Sequence, residues 1–320
     1  MGNIKLAAVI PTYKASSSIL KVVSDALSCF DLVIVVDDCC PEMSGKLVNL
    51  EFSKVEKVEV VFNERNLGVG GATKIGFQRA RELNSELMVK IDADGQMDLS
   101  YLSSLLEPIY KEDADFTKGN RFGSRQSLSS MPWLRILGNS ALTLLNRFST
   151  GSWNVSDPTN GFICLSRAAF DRISWEKISN RYLFETELLF RASMANLRIL
   201  DVPMPAIYRD EISGLAPLRL IFPLLWTHSI QYHKRVLLQY FIREMNAGTI
   251  YLVAGVPLFW FGIVFGISNW IQSSSSGVLT SAGTVSISTI SIVLGFQLLL
   301  QFTTFDTSQA KSKQGANHRF

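Results

Sequence analysis

The sequence predicts an α/β protein with a mostly parallel sheet covered by helices on both faces, continued by amphipathic helices and two transmembrane helices. Three observations lead there. Short apolar runs alternate with helix-length segments through the first 210 or so residues. Several of those runs end in polar groups, as strands do where an open α/β sheet binds ligands. Finally, no charged side chain occurs from Ala247 through Phe305.

The elements follow in order. Lys5-Leu-Ala-Ala-Val-Ile-Pro-Thr-Tyr13 is an apolar strand closed by Pro11. Ile19 to Phe30 carries apolar residues at helical spacing. Leu32 to Val36 is a second strand, ending in Asp37-Asp38, and Val55 to Phe62 a third. Asn63 to Gly71 reads as a glycine-rich loop whose Gly68, Gly70 and Gly71 let backbone approach a ligand, and Ala72 to Leu83 as a helix. No Gly-Lys-Ser/Thr follows, so it is not a Walker A loop.

Leu87 to Ile91 is a buried strand running into Asp92-Ala93-Asp94-Gly95-Gln96. Were the strand geometry to continue, Asp92 and Asp94 would point to one side. Two such carboxylates repel unless a cation lies between them, and hard oxygen ligands suit Mg²⁺ or Mn²⁺. Taken alone, the pair equally describes an acidic turn that caps the next helix. Asp38 likewise suits a ribose or base edge, or a solvated loop.

Beyond Gln96, Ala114 to Thr117 is strand-like and Pro132 to Phe148 an amphipathic helix with Arg135 and Asn139 four apart. Asp157 to Phe162 is turn-rich and enters a strand. A helix starts at Phe184 carrying Glu185 and Glu187, and Leu197 to Val202 is a further strand. Ile207 to Ser213 is polar; Leu215 to Met245 reads as one or two helices lying on a membrane surface.

Gly248 to Ile271 and Val285 to Phe305 are each long enough to cross about 30 Å of hydrocarbon, with Ser273 to Gly277 as a polar break. His233, Lys234, Arg235 and Arg243 precede the pair; Lys311, Lys313 and Arg319 follow it. Both flanks are therefore expected in the cytoplasm. The expected organisation is a catalytic domain over residues 1–213, juxtamembrane helices over 214–246, two spans over 247–305 and a cytoplasmic tail over 306–320. A net charge of only +3 argues against a nucleic-acid partner, and the four cysteines lack metal-ligand spacing. The N-terminus runs straight into a strand, without the pattern of a signal peptide.

Taken as a series, Val9-Ile-Pro-Thr-Tyr13, Val35-Val-Asp-Asp38, Asn66-Leu-Gly-Val-Gly-Gly71, Asp92-Ala-Asp-Gly-Gln96, Gly119-Asn-Arg-Phe122, Asp157-Pro-Thr-Asn-Gly-Phe162 and Phe184-Glu-Thr-Glu-Leu188 resemble family 2 glycosyltransferases of GT-A (Rossmann-like) fold. Within them the chain looks most like the polyprenyl-phosphate glycosyltransferases, relatives of dolichyl-phosphate mannose synthase. It departs at Lys14-Ala15 and Cys39-Cys40, where the family often has Asn-Glu and Gly-Ser.

The resemblance implies a metal-dependent transfer of one sugar, with inversion, from a UDP- or GDP-sugar to polyprenyl phosphate at the cytoplasmic membrane face. Pro11, Thr12, Tyr13, Asp37, Asp38, Asn66, Gly68, Gly71, Asp92 and Ala93 would bind the donor. Asp92, Asp94 and Gln96 would hold Mg²⁺ or Mn²⁺, and Arg121, Arg135 and Asn139 the acceptor phosphate. Asp94, Arg121 and Glu187 would be catalytic, with Glu187 a base or a positioning group and Glu185 second to it. The bilayer is a partner, and a homo-oligomer is left open. A processive polysaccharide synthase and a non-catalytic membrane-bound module of the same fold are the alternatives. Gln231-Tyr-His-Lys-Arg235 lacks the Trp of the synthase motif.

Overall fold

The computed structural model describes residues 5–123, 133–181, 183–205 and 217–315. They form two compact units, Met1–Gln231 and Tyr232–Phe320. The polar segment Ile207 to Ser213, Arg319, and the side chains of Arg135, Lys311 and Lys313 lie outside the described residues.

The first unit holds a seven-stranded sheet in the order β3-β2-β1-β4-β6-β5-β7. Its strands are β1 (Leu6–Thr12), β2 (Leu32–Asp37), β3 (Val58–Phe62), β4 (Leu87–Lys90), β5 (Phe116–Asn120), β6 (Ile163–Ser166) and β7 (Ile199–Pro203). β6 runs antiparallel to both neighbours; the other pairings are parallel. Successive β1 residues feed opposite cores. Leu6, Ala8 and Ile10 join one with α1 (Ile19–Leu27) and α4 (Leu102–Tyr110). Ala7 and Val9 join the other with α3 (Val69–Glu82), where Ala72, Phe77 and Ala80 are buried. Both sheet faces are covered, so the strands read as continuous apolar runs rather than alternating ones. The remaining helices of this unit are α2 (Ser44–Glu51), α5 (Trp133–Thr150), α6 (Arg167–Arg172) and α7 (Phe184–Met194).

Three boundaries differ from expectation in ways that matter. β4 ends at Lys90, and Ala93 and Asp94 form a turn, so Asp92 and Asp94 do not sit on an extended strand tip. Helix α3 begins at Val69, placing Gly70 and Gly71 in its first turn rather than in a loop. β5 reaches Asn120 because it pairs with β7 as far as Pro203. Lys118 is buried within it, its ammonium donating to the Ser156 carbonyl at 2.6 Å and to Asp201 at 3.3 Å. Tertiary pairing overrides the local polarity there.

Helix α8 (Pro217–Leu237) leads into the second unit and is followed by a π-helical turn, Leu238–Arg243. The unit is built on a hairpin of α9 (Ala247–Ser276) and α10 (Ala282–Gly315). Both are long and apolar enough to cross a membrane. Asn246 and Thr249 form a reciprocal cap at the start of α9, and Gly277, at φ 71°, ends it. The serines before Gly277 therefore belong to the helix, not to a break in it. Gly262 admits the second helix: a Cβ there would lie 2.8 Å from the Ile292 backbone nitrogen. The Ser288 hydroxyl donates to the Gly262 carbonyl at 2.9 Å across the same contact. Apolar side chains such as Trp260, Phe261, Val264 and Ile267 face outward. Helix α10 continues beyond Phe305, and Asp306 is buried with Arg235 and Tyr240. The guanidinium donates at 2.7 and 3.0 Å to the two carboxylate oxygens, and the phenol at 2.6 Å to one of them.

Gly76 sets the distance between α3 and the sheet, because a Cβ there would lie 2.2 Å from Val9 Cγ1. Gly76→Ala should therefore cost about 1–3 kcal/mol through overpacking, despite the better helix propensity of alanine. A thermal melt of the detergent-solubilised protein should show a lowered midpoint; an unchanged one would mean that Val9 yields without strain.

Candidate functional site

Parallel pairing brings the carboxyl ends of β1, β2 and β4 to one edge, with Thr12 level with Asp37 and Val9 level with Lys90. A cavity of about 550 Å³ opens there, within the range of small-molecule sites. Of the predicted donor residues, Pro11, Thr12, Tyr13, Asp38, Asn66, Gly68, Asp92 and Ala93 line it, together with Asp94. Asp37 and Gly71 are not among its lining residues. Lys14, Ala15, Ser17, Ser18, Val69, Ala72 and Arg181 also line it, although sequence reasoning assigned them no role.

Asp37 is a buried scaffold acid. Its carboxylate accepts the N–H groups of Cys40 and Gly45, each at 2.7 Å, and so ties the end of β2 to the start of α2. Gly71 serves packing: a Cβ there would meet the Leu67 Cβ at 2.5 Å. Asp38 is also committed, since it accepts Asn63 Nδ2 at 2.8 Å and the backbone N–H groups of Leu67 and Gly68 at 2.8 and 2.7 Å. Its carboxylate thus holds the loop that forms one cavity wall.

At the adjoining carboxyl end of β1, Lys14 turns the chain in the left-handed region at φ 54°. Its N–H donates to Cys40 Sγ at 3.0 Å. Burial alone would push that thiol up, but hydrogen bonds from Ser44 and the Lys14 and Glu42 backbone outweigh it and hold it below the ordinary range. Cys40 thus braces the corner that carries Lys14 and Ala15.

Lys90 is buried beneath the acidic turn. Its ammonium bonds Asp92 Oδ1 and lies 3.9 Å from Glu185. Burial disfavours the charged lysine, yet Asp92 and Glu185 outweigh this and raise its pKa. Burial raises the Glu185 carboxyl as well, with Lys90 pulling the other way. Ser18 ties the turn to the region before α1, its hydroxyl donating to the Ala93 carbonyl at 2.6 Å. The one charged residue in an otherwise apolar strand was the sequence signal for Lys90.

The predicted third metal ligand, Gln96, does not line the cavity; its N–H donates to Asp94 Oδ1 at 2.9 Å. Among the described residues no group of three His, Cys, Asp or Glu side chains is poised for a metal. Asp92 and Asp94 nevertheless fit Mg²⁺ or Mn²⁺ of the kind held by one or two carboxylates, with substrate phosphates and water completing the shell. Asp92 keeps a third of its side chain (34%) exposed at the cavity.

Arg121 lies away from this cavity, in a fork-to-fork pair with Asp157 at 2.8 and 2.7 Å. Its own N–H donates to Asp157 at 3.0 Å. Asn139 is half-buried on α5. Glu187 accepts the N–H of Ser179, whereas Glu185 is the acid that faces Lys90.

The sequence model described as glycosyl transferase family 2 matches residues 7–174, more than half of the chain. The UDP-N-acetylglucosamine–dolichyl-phosphate N-acetylglucosaminyltransferase of Methanococcus voltae is 29% identical over 215 residues, 63% of this chain and 85% of that protein. The polyprenol monophosphomannose synthase of Mycolicibacterium smegmatis is 26% identical over 206 residues, covering 63% and 77%. Among solved structures, Staphylococcus aureus TarS 1–349 superposes with a TM-score of 0.44 at 17% identity, covering 78% of this chain and 79% of that one.

Asp157 adopts φ 48° and its side chain is fully buried. Burial alone would raise its carboxyl, but Arg121 outweighs burial and holds it below the ordinary aspartate range. A depressed folded pKa means that the pair stabilises fully above the unfolded value and fades as pH falls through the folded one. Asp157→Asn keeps a residue tolerant of this backbone and removes the charge. It should lose about 1.5–3 kcal/mol at neutral pH and much less at a pH well under about 4, below the depressed folded value. Denaturant titrations at both pH values check this; an equal loss at both would rule out the ion pair as the cause.

Proposed function

The chain belongs to glycosyl transferase family 2, and we propose that it moves a single sugar, with inversion, from a nucleoside diphosphate sugar to a polyprenyl phosphate at the cytoplasmic membrane face. The observation that carries this reading is the cavity where Pro11 to Ala15, the Asp38-held loop and the Asp92–Asp94 turn meet. The names of the Methanococcus and Mycolicibacterium relatives favour a lipid phosphate as acceptor. Two apolar helices with outward-facing apolar side chains support anchoring in a bilayer.

In this reading the nucleotide lies along the β1 and β2 ends, against Tyr13, Lys14 and the loop from Asn66 to Gly68. Asp92 and Asp94 would hold Mg²⁺ or Mn²⁺, which would supply Lewis-acid neutralisation of the departing nucleoside diphosphate. Lys90 bonds Asp92 Oδ1 and so fixes the orientation of that carboxylate. The acceptor phosphate is already an anion, so its oxygen can attack the anomeric carbon without a base, and the protein's main work is alignment. Arg121, fixed by Asp157, and Arg135 and Asn139 on α5 are the proposed acceptor contacts. Glu187, occupied by a backbone N–H, acts as a positioning residue.

Purified protein in detergent or lipid, given polyprenyl phosphate and labelled UDP- or GDP-sugars, should form a labelled lipid. Both EDTA and Asp94→Ala should abolish it. Folded protein that labels no lipid with any donor would remove the lipid acceptor and favour a synthase or a binding module. In the same assay Glu187→Gln, whose amide oxygen still accepts from Ser179, should stay within about fivefold of the parent. A general base would lose about 10²–10⁴ instead.

A further inference from the structure

Arg181 lines the cavity and sits outside every predicted motif. Among the described residues, it and Lys14 are the basic side chains on a cavity wall that also carries three aspartates. Its approach is built in from several sides. Gly71 N–H donates to the Asn180 carbonyl at 3.0 Å. Lys74 Nζ donates to the Ile178 carbonyl at 2.6 Å, and Glu187 receives the Ser179 N–H. The residues from Ile178 to Arg181 thus form a strap fastened across the start of α3.

Two glycines clear its path. A Cβ on Gly68 would lie 2.7 Å from the Asn180 carbonyl oxygen and 2.8 Å from Arg181 Cγ; one on Gly70 would lie 2.7 Å from the Ser179 carbonyl oxygen. Gly68 also has φ 90°, which side-chain-bearing residues rarely adopt. The glycine-rich segment therefore receives protein backbone. Its outcome is an arginine laid along the cavity wall, with Nη2 3.4 Å from the Asn66 carbonyl oxygen.

We propose that Arg181 is a donor-binding residue whose guanidinium takes the diphosphate of the nucleotide sugar, delivered by the Ile178–Arg181 strap. This rests on reading the cavity as the donor pocket. Asp38 is spent on the loop, and Asp92 and Asp94 would carry a cation, so among the described residues the wall otherwise presents no fork of donors suited to phosphate oxygens. A guanidinium supplies that fork in a planar, permanently charged form. The diphosphate is the anionic part of such a donor, and a positioned arginine adds to the metal's neutralisation of it. The same contact gives Glu187 its purpose, because the acid holds the strap at Ser179.

The test is calorimetric titration of the full-length protein in detergent, with Mg²⁺, using UDP and GDP beside uridine and guanosine. Arg181→Ala should weaken binding of the preferred diphosphate about ten- to a hundredfold and leave the matching nucleoside within about twofold. Arg181→Lys should recover part of the loss. An equal loss for nucleoside and diphosphate, or none for either, would overturn the assignment while leaving the donor pocket standing. Failure of the unsubstituted protein to bind any of the four compounds would instead overturn the pocket reading itself.

Discussion

A buried cation at the end of β4 allows this sheet edge to exist. Asp92, Asp94 and Glu185 crowd one strand tip, and three carboxyl groups cannot share a poorly solvated site without compensation. Lys90, 1% exposed, supplies it from below. The compensation is local and covalently fixed, since Lys90 and Asp92 are two residues apart. The acidic turn is thus neutralised on its protein side and stays acidic on its cavity side. The rest of the edge follows from the same economy: Asp37 and Asp38 resolve their own crowding by accepting five hydrogen bonds from backbone and Asn63.

The parts of the fold that repeat over many residues were legible in the sequence. β1, β2 and β4 announced themselves as apolar runs because both their faces are covered, and α9 and α10 because no charged side chain occurs from Ala247 through Phe305. Most cavity residues were legible too, as they follow directly on strand ends. What escaped were groups whose role is set by distant partners. Asp37 and Asp38 look alike in sequence, yet one clasps α2 and the other a loop. β5 looked like a loop beyond Thr117 because its polarity is satisfied by residues 38 and 83 positions away. Glu185 and Glu187 sit in one helical turn, and only tertiary packing decides which of them meets Lys90. Arg181 follows no strand and matches no motif; its position comes from the strap contacts alone.

The glycine-rich segment carries a general lesson about such loops. A run of this kind invites the reading that bare backbone is reserved for a ligand. Here Gly68 and Gly70 accommodate carbonyl groups of another part of the same chain, and Gly71 accommodates a neighbouring leucine. The ligand-facing feature is one step removed, in the side chain that the incoming segment brings. Motif and strap are therefore parts of one device, though more than 100 residues separate them.

The second unit bears on how such a chain is made. Arg235 and Asp306 are 71 residues apart, and all of α9 and most of α10 are synthesised between them. Until Asp306 has been made, the arginine lacks this counter-ion, and a guanidinium without one is costly to bury. Arrival of Asp306 then permits burial of the arginine and of Tyr240 together. The ion pair can therefore form only once α9 and most of α10 have been made, and a chain that ends before Asp306 would lack it.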